Sequence, residues 1–83
     1  MNRFVLYSRE GCGLCEEMLL ELGPWLAARG ATVELRDVAA DPTTRRRWGL
    51  KIPVLLLDGE TVAAGRLDWT ELDRAWDAPR RMG

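Results

Sequence analysis

The chain has 83 residues, of which 47% are hydrophobic and 30% charged, and its formal net charge is -1. A chain of this length buries only about 60–65% of the surface that it exposes when unfolded, which allows one domain with a thin core. The near-zero charge gives no reason to expect nucleic acid or a membrane as a partner. We therefore predict a single domain over residues 1–83, in which residues 79–83 form a loose tail.

The first third of the chain predicts a buried strand followed by a helix. The apolar run from Arg3 to Ser8 has the length of a strand. It is too short for a signal sequence or a membrane span, which favours a cytoplasmic protein. A helix with one apolar face follows, because hydrophobic residues recur at three- and four-residue steps at Cys15, Met18, Leu19, Leu22 and Leu26. Gly23-Pro24 predicts a kink in this helix or its restart, and Gly30 predicts its end.

The middle of the chain predicts a second strand and a short helix. Ala31 to Val38 alternates in polarity, with Leu35 among the residues expected to face the core. Asp41 followed by proline is a typical helix start and Gly49 a typical helix end. This helix would carry Arg45-Arg46-Arg47, a run of charge that either forms a solvated face or steers an anionic substrate.

The last third predicts a hairpin and a final helix. Ile52 to Leu57 is an apolar strand, Asp58-Gly59 a tight turn, and Thr61 to Ala64 the returning strand. Asp68 opens a capping box, and the core-facing side of the final helix is predicted to consist of Trp69, Leu72, Ala75 and Trp76. The order β-α-β-α-β-β-α predicts a three-layer α/β/α fold with a four-stranded mixed sheet.

The two cysteines, Cys12 and Cys15, lie where the first strand gives way to the first helix. A bond between them would close too small a loop to stabilise the fold much, so a structural staple explains them poorly. The free N–H groups and the macrodipole of a helix N-terminus favour a thiolate at Cys12, whereas Cys15, one turn later, would face the core. Gly11 and Gly13 leave the approach to Cys12 open. Arg9 would stabilise its thiolate, whereas Glu10, Glu16 and Glu17 would raise the pKa of Cys12 if they point towards it.

Three interpretations of this pair are open. A Cys-x-x-Cys motif beside a βαβ pattern is a signal of thiol–disulfide chemistry. Two cysteines can also be half of a metal site, but the chain has no histidine. Zinc or an iron–sulfur cluster would therefore need a dimer, glutathione or carboxylates to complete its ligands. Two inert core cysteines are the third interpretation, since free cysteine is often buried.

Three segments stand out, in this order: Tyr7-Ser8-Arg9-Glu10-Gly11-Cys12-Gly13-Leu14-Cys15, Lys51-Ile52-Pro53-Val54 and Gly65-Arg66-Leu67-Asp68. Together they resemble the glutaredoxin branch of the thioredoxin superfamily, and in particular its small glutaredoxin-like proteins. The resemblance covers nearly the whole chain and implies a thioredoxin-like fold. It also implies a thiol–disulfide oxidoreductase with Cys12 as the nucleophile and Cys15 as the resolving thiol, acting on protein or low-molecular-weight disulfides.

The same resemblance implies a substrate site around the cysteines. Pro53 matches a proline whose preceding peptide bond is cis, which leaves the Ile52 backbone free to pair with a substrate chain. Arg9 takes the place of a lysine that contacts glutathione, and Gly65 and Asp68 take the place of the turn that holds its γ-glutamyl end. The remaining residues of the expected site are Gly11, Gly13, Leu14 and Lys51.

The sequence departs from the family pattern around this site. Ala64-Gly65 replaces a double glycine, Leu50-Lys51 a polar lead-in to the proline, and Gly13-Leu14 a Pro-Tyr pair between the cysteines. These changes bear on glutathione binding and leave the dithiol chemistry intact. We therefore expect a monomeric disulfide reductase without a metal or organic cofactor and with glutathione as a candidate reductant. The alternative is a non-catalytic binding module, or a metal or iron–sulfur module that uses the cysteines at a dimer interface.

Overall fold

The computed structural model of the chain describes residues 3–77, and the predicted tail at 79–83 lies outside the described residues. Within this range the elements follow the predicted order β-α-β-α-β-β-α. Their bounds are β1 Phe4–Ser8, α1 Gly13–Ala28, β2 Val33–Asp37, α2 Pro42–Trp48, β3 Val54–Leu57, β4 Glu60–Ala64 and α3 Trp69–Asp77, with a short 3-10 turn at Val38–Ala40. The predicted α/β fold is confirmed.

The strands form one mixed sheet in the order β2-β1-β3-β4. β1 pairs in parallel with β2 and antiparallel with β3, and β3 and β4 form an antiparallel hairpin around Asp58-Gly59. In this register Ser8 lies opposite Asp37, and Val54 lies opposite Ala64. The ends of β1, β2 and β4 and the start of β3 therefore share one end of the sheet, which we call the site end.

One face of the sheet packs against α1 and α3 and forms the main core. This core contains the buried residues Phe4, Leu6, Met18, Leu22, Leu26, Leu55, Leu57 and Leu72. Two half-buried tryptophans close its rim, since the rings of Trp25 and Trp76 lie 5.8 Å and 5.9 Å from the Phe4 ring between centroids. Removal of this apolar surface from water is the largest favourable contribution to folding.

The opposite face of the sheet is covered by α2, which has no buried residue of its own. Asp41 caps this helix as predicted, because its Oδ1 accepts a hydrogen bond from the Thr43 backbone N–H at 3.2 Å. Trp48, in the last turn, packs on Tyr7 of β1 with 4.8 Å between ring centroids. The helix is thus held by its cap at one end and by an aromatic pair at the other.

Of the kink or restart predicted at Gly23-Pro24, the restart does not occur, because α1 runs without interruption from Gly13 to Ala28. Pro24 cannot donate to the carbonyl of Leu20, but both residues are exposed, so the lost hydrogen bond falls where water can replace it. Leu22 and Leu26 are buried on either side of the proline. Packing of the apolar face therefore keeps the two halves of the helix together.

Two residues predicted to face the core are exposed instead. Leu35 has 53% of its surface exposed, because β2 is an edge strand and α1 does not cover this part of it. Trp69 has 42% of its surface exposed. It is the first residue of α3, and the buried contact of that helix with the core begins one turn later, at Leu72.

Candidate functional site

A tight turn carries the chain from β1 to the first cysteine. The Cys12 backbone N–H donates to the Arg9 carbonyl at 3.2 Å, and Gly11 lies between them with a φ of +79°. Glycine adopts this left-handed conformation without a steric penalty. A Cβ at this position would meet no atom within 4 Å. Glycine is therefore favoured at this position by the backbone conformation and not by a lack of space for a side chain.

Cys12 is the N-cap of α1, as predicted. Its backbone is extended, with φ −91° and ψ 106°, and its Sγ accepts a hydrogen bond from the Cys15 backbone N–H at 3.2 Å. The sulfur thus takes the part that a hydroxyl or carboxylate oxygen usually plays at a helix start. Unpaired N–H groups and the positive end of the macrodipole stabilise negative charge at this place, which favours a thiolate when the pair is reduced.

The two cysteines are joined in a disulfide, with 5.2 Å between their Cα atoms. This separation lies within the usual range for disulfides. Cys15 has only 5% of its surface exposed, whereas Cys12 is half-buried. One sulfur of the pair is therefore accessible to a partner molecule, and the other lies behind it.

Pro53 and Gly65 meet at the site end of the sheet. The Ile52–Pro53 peptide bond is cis, and the Pro53 side chain is fully buried. The Gly65 backbone N–H donates to the Pro53 carbonyl at 2.8 Å from a φ of +82°. Since β1 and β3 are antiparallel, the segment that enters β3 starts beside the end of β1, which leads to Cys12. The fold thus brings the cysteine turn, the proline and Gly65 to one end.

A groove with a volume of about 220 Å³ opens between α1 and the segment that follows β4. Its lining consists of Leu14, Glu17, Met18, Glu21, Gly65, Arg66 and Leu67. Leu14 lies between the two cysteines in the sequence, so the groove begins beside the disulfide. Two residues of the predicted substrate site, Leu14 and Gly65, belong to its wall.

The other predicted residues do not line this groove. Arg9, Gly13 and Lys51 are exposed. Asp68 takes part in the fold itself, because its Oδ1 accepts a hydrogen bond from the Glu71 backbone N–H at 3.2 Å, which is one of the two bonds of the predicted capping box. The Glu71 carboxylate accepts from Arg74. Contact of any of these residues with a substrate stays a prediction.

Glu17 and Glu21 line the groove but are not among the site residues that the sequence motifs predicted. A signal exists in the spacing, because positions 14, 17, 18 and 21 recur at three- and four-residue steps and so lie on one face of α1. Arg66 and Leu67 have no such signal. They join the groove only because the hairpin returns the chain to the site end.

A triad of charges joins Glu34 and Arg36 of the outer strand β2 to Arg3, which precedes β1. The Arg36 Nε donates a hydrogen bond to the Glu34 carboxylate at 2.6 Å, and the Arg3 guanidinium donates a second one to it at 2.9 Å. These two hydrogen bonds lower the pKa of Glu34 from 4.5 to about 2. Glu34 in turn raises the pKa of Arg36 above its ordinary value. All three side chains are largely exposed, so solvent screens the attraction.

Two observations on residues 3–77 concern groups of metal ligands and long apolar helices. Among residues 3–77, no group of three or more His, Cys, Asp or Glu side chains is placed to hold a metal ion. The metal hypothesis would need further ligands from another molecule. No helix between those residues combines the length and the apolar character that crossing a bilayer requires.

A family model described as "Glutaredoxin-like domain (DUF836)" matches residues 3–76. A search of curated proteins finds no match. The solution NMR structure of protein Ne2328 from Nitrosomonas europaea has a TM-score of 0.82 to this chain at 25% sequence identity, and the match covers 89% of each chain.

Two crystal structures are also similar. Target protein XcR50 from X. campestris has a TM-score of 0.70 at 29% identity, over 92% of this chain and 99% of that one. Protein SA0789 from Staphylococcus aureus, described as a protein of unknown function, has a TM-score of 0.69 at 19% identity, over 92% and 88% of the two chains. The last likeness is one of fold alone.

Proposed function

Because this chain belongs to the glutaredoxin-like domain family, we propose that it is a thiol–disulfide oxidoreductase that reduces disulfides of other molecules. The observation that carries the proposal is the environment of Cys12. Its sulfur caps the N-terminus of α1, accepts a hydrogen bond from the Cys15 N–H, and is bonded to a second, buried sulfur. That arrangement provides an activated nucleophile and a resolving thiol at the distance of one helical turn.

The reaction proceeds by two exchanges. The Cys12 thiolate attacks one sulfur of the substrate disulfide, whose S–S bond breaks, and one substrate thiolate leaves and takes a proton from solvent. A mixed disulfide then joins Cys12 to the other half of the substrate. The Cys15 thiol loses its proton, attacks the Cys12 sulfur, and displaces the second substrate thiolate. Two electrons have passed from the cysteine pair to the substrate, and the pair is left as the disulfide seen in the structure.

The cycle needs an electron donor that reduces this disulfide again. A thiol of low molecular weight such as glutathione, or a dithiol reductase, returns the pair to its reduced form by the reverse exchange. Arg9, Lys51, Gly65 and Asp68 are the residues that we propose for contact with glutathione. The Gly65 N–H donates to the Pro53 carbonyl at 2.8 Å, and this position beside Pro53 supports the contact.

Trapping of the mixed disulfide tests the proposal. The reduced Cys15→Ser variant should form a stable adduct with a disulfide substrate, detected by mass spectrometry, because no thiol is left to resolve it. Cys12→Ser, the matched control with the buried thiol intact, should form little or none. The wild-type pair should equilibrate reversibly in glutathione buffers, with a potential between roughly −200 and −270 mV.

Two results would contradict the proposal. One is equal adduct formation by the two variants, since the half-buried and the buried sulfur would then react alike. The other is the absence of any reversible couple at neutral pH. In that case the non-catalytic binding module is the better description, and a metal assay of the purified protein would decide between that module and a metal or cluster site.

A further inference from the structure

The groove beside the disulfide carries charge that the fold does not use. Glu17 and Glu21 lie one turn apart on α1, and both are exposed. Neither carboxylate makes a hydrogen bond or an ion pair with any of residues 3–77. The guanidinium of Arg66 on the opposite wall makes none with those residues either. The two carboxylates outnumber the guanidinium. The groove therefore favours a cation over an anion.

The apolar part and the size of the groove restrict its occupant further. Leu14 has 46% of its surface exposed and Leu67 is half-buried, so these two side chains add an apolar patch to a mostly polar lining, whereas Met18 is buried and adds little. A Lys or Arg side chain fits such a surface, because its methylene stem packs on apolar atoms while its charged end stays near water. A volume of about 220 Å³ is below the range of pockets that enclose whole small ligands. It suits one side chain of a longer molecule.

The exposed arginines of α2 do not offset this charge at the groove. Arg45, Arg46 and Arg47 belong to the helix whose Trp48 packs on Tyr7. That helix covers the face of the sheet opposite to α1 and α3, whereas the groove lies on the α1 side. The two flanks of the molecule thus differ in sign, and the flank next to Leu14 is the acidic one.

We infer that this groove selects protein substrates that carry a lysine or arginine close to the cysteine of their disulfide. Glu17 and Glu21 would pair with the basic side chain, and its stem would lie on Leu14 and Leu67, while the neighbouring substrate sulfur reaches Cys12. This inference rests on the proposed function, and the exchange chemistry is the same as that given above.

Peptide disulfides of matched size test the inference. The probes are homodisulfides of blocked tripeptides X-Cys-X, with X as Lys, Gln or Glu, which place the charge on both sides of the cysteine. Their rates of reduction by the reduced protein are compared for the wild type, for the double variant Glu17→Gln and Glu21→Gln, and for Glu60→Gln. Glu60 begins β4 at the end of the sheet away from the cysteines and is the matched control.

The wild type should reduce the lysine peptide fastest and the glutamate peptide slowest, after each rate is divided by that with dithiothreitol. In the double variant the ratio of the lysine rate to the glutamate rate should fall about five- to tenfold at low ionic strength, the effect of two exposed carboxylates. The ratio should fall in the wild type too when 0.5 M salt is added, because salt screens exposed charges. Glu60→Gln should behave as the wild type.

The glutamine peptide separates recognition of substrate charge from an effect of the carboxylates on Cys12 itself. Its rate should stay within about twofold in the double variant, because a neutral substrate gains nothing from the carboxylates. An equal change for all three peptides would mean that Glu17 and Glu21 act on the Cys12 thiolate, and it would overturn the inference. An unchanged lysine-to-glutamate ratio would overturn it as well, with the proposed function intact. Failure of every peptide to react would instead count against the proposed function.

Discussion

The two faces of the sheet are held by different interactions. On one face, α1 and α3 bury a continuous apolar core around Phe4 and Leu22. On the other, α2 contributes no buried residue and is fixed by the Asp41 cap and by the ring contact of Trp48 with Tyr7. The first face therefore holds the larger share of the buried apolar side chains, while Val38, Val54 and Leu56 are buried outside that core.

The functional residues divide along the same line. Cys12 and Cys15 begin α1, the helix with the larger buried face. The segment that leads into Pro53 follows α2, which has no buried residue. In this segment the Lys51 backbone N–H donates a hydrogen bond to the Trp48 carbonyl of α2 at 2.8 Å. The reactive pair thus has a rigid support, and the segment opposite to it has a weaker one. Local opening is expected to begin on the weaker side.

The largest effect is expected from a cavity on the α1 face. Leu22→Ala removes a side chain with no exposed surface and should lower the free energy of unfolding by about 2–5 kcal/mol. Leu20→Ala, two residues away on the same helix, is the matched control, because Leu20 has 77% of its surface exposed. Its effect in a urea titration should be within about 0.5 kcal/mol. Similar losses for both variants would contradict the division between the faces.

A smaller and more local effect is expected on the α2 face. Trp48→Leu removes the ring that packs on Tyr7 at 4.8 Å and should cost about 1 kcal/mol of stability. Hydrogen exchange should become faster in α2 and in residues 49–52, while the amides of α1 keep their protection. Trp69→Leu, at a tryptophan that is 42% exposed, should leave the α2 amides unchanged. Uniformly faster exchange in both helices would show that the faces open together.

The smallest effect is expected at the charged triad of Arg3, Glu34 and Arg36. The pKa of Glu34 is about 2 in the folded chain and 4.5 as its ordinary value, so its carboxylate stabilises the fold above pH 4.5. This contribution is lost as the pH falls from 4.5 through 2. The stability difference between the wild type and Glu34→Gln should therefore be present at pH 7 and absent near pH 2 in thermal unfolding. A difference that persists at pH 2 would contradict an electrostatic origin.

The sequence predicted those features that local chemistry determines. The Asp41 and Asp68 caps and the Asp58-Gly59 turn depend on a few adjacent residues, and the structure has all three. Leu35 was assigned wrongly because polarity alternates along β2 in the same way whether or not a helix covers it. The order of the strands decides that question, and no single segment contains it.

The same reason limits prediction of the site. Cys12 and Cys15 are only three positions apart in sequence, so their place at the start of a helix could be derived from spacing. The groove combines residues 14–21 with residues 65–67, which meet only in the folded chain. Arg66 shows the difficulty well: its neighbours in sequence suggest a turn, and its role as a wall of the groove depends on the whole sheet.

The hairpin tip offers an attachment point that is fixed and remote from the cysteines. Asp58 is held by two hydrogen bonds to Arg3, its N–H donating to the Arg3 carbonyl at 2.8 Å and its Oδ1 accepting from the Arg3 N–H at 2.7 Å. The four residues of β3 separate this tip from Pro53, and the five steps between Pro53 and Asp58 span roughly 16 Å at about 3.3 Å per residue. A molecule tethered to an electrode through Glu60 would therefore stand with Cys12 directed toward the solution. Voltammetry of such a layer would measure the cysteine pair with every copy in the same orientation.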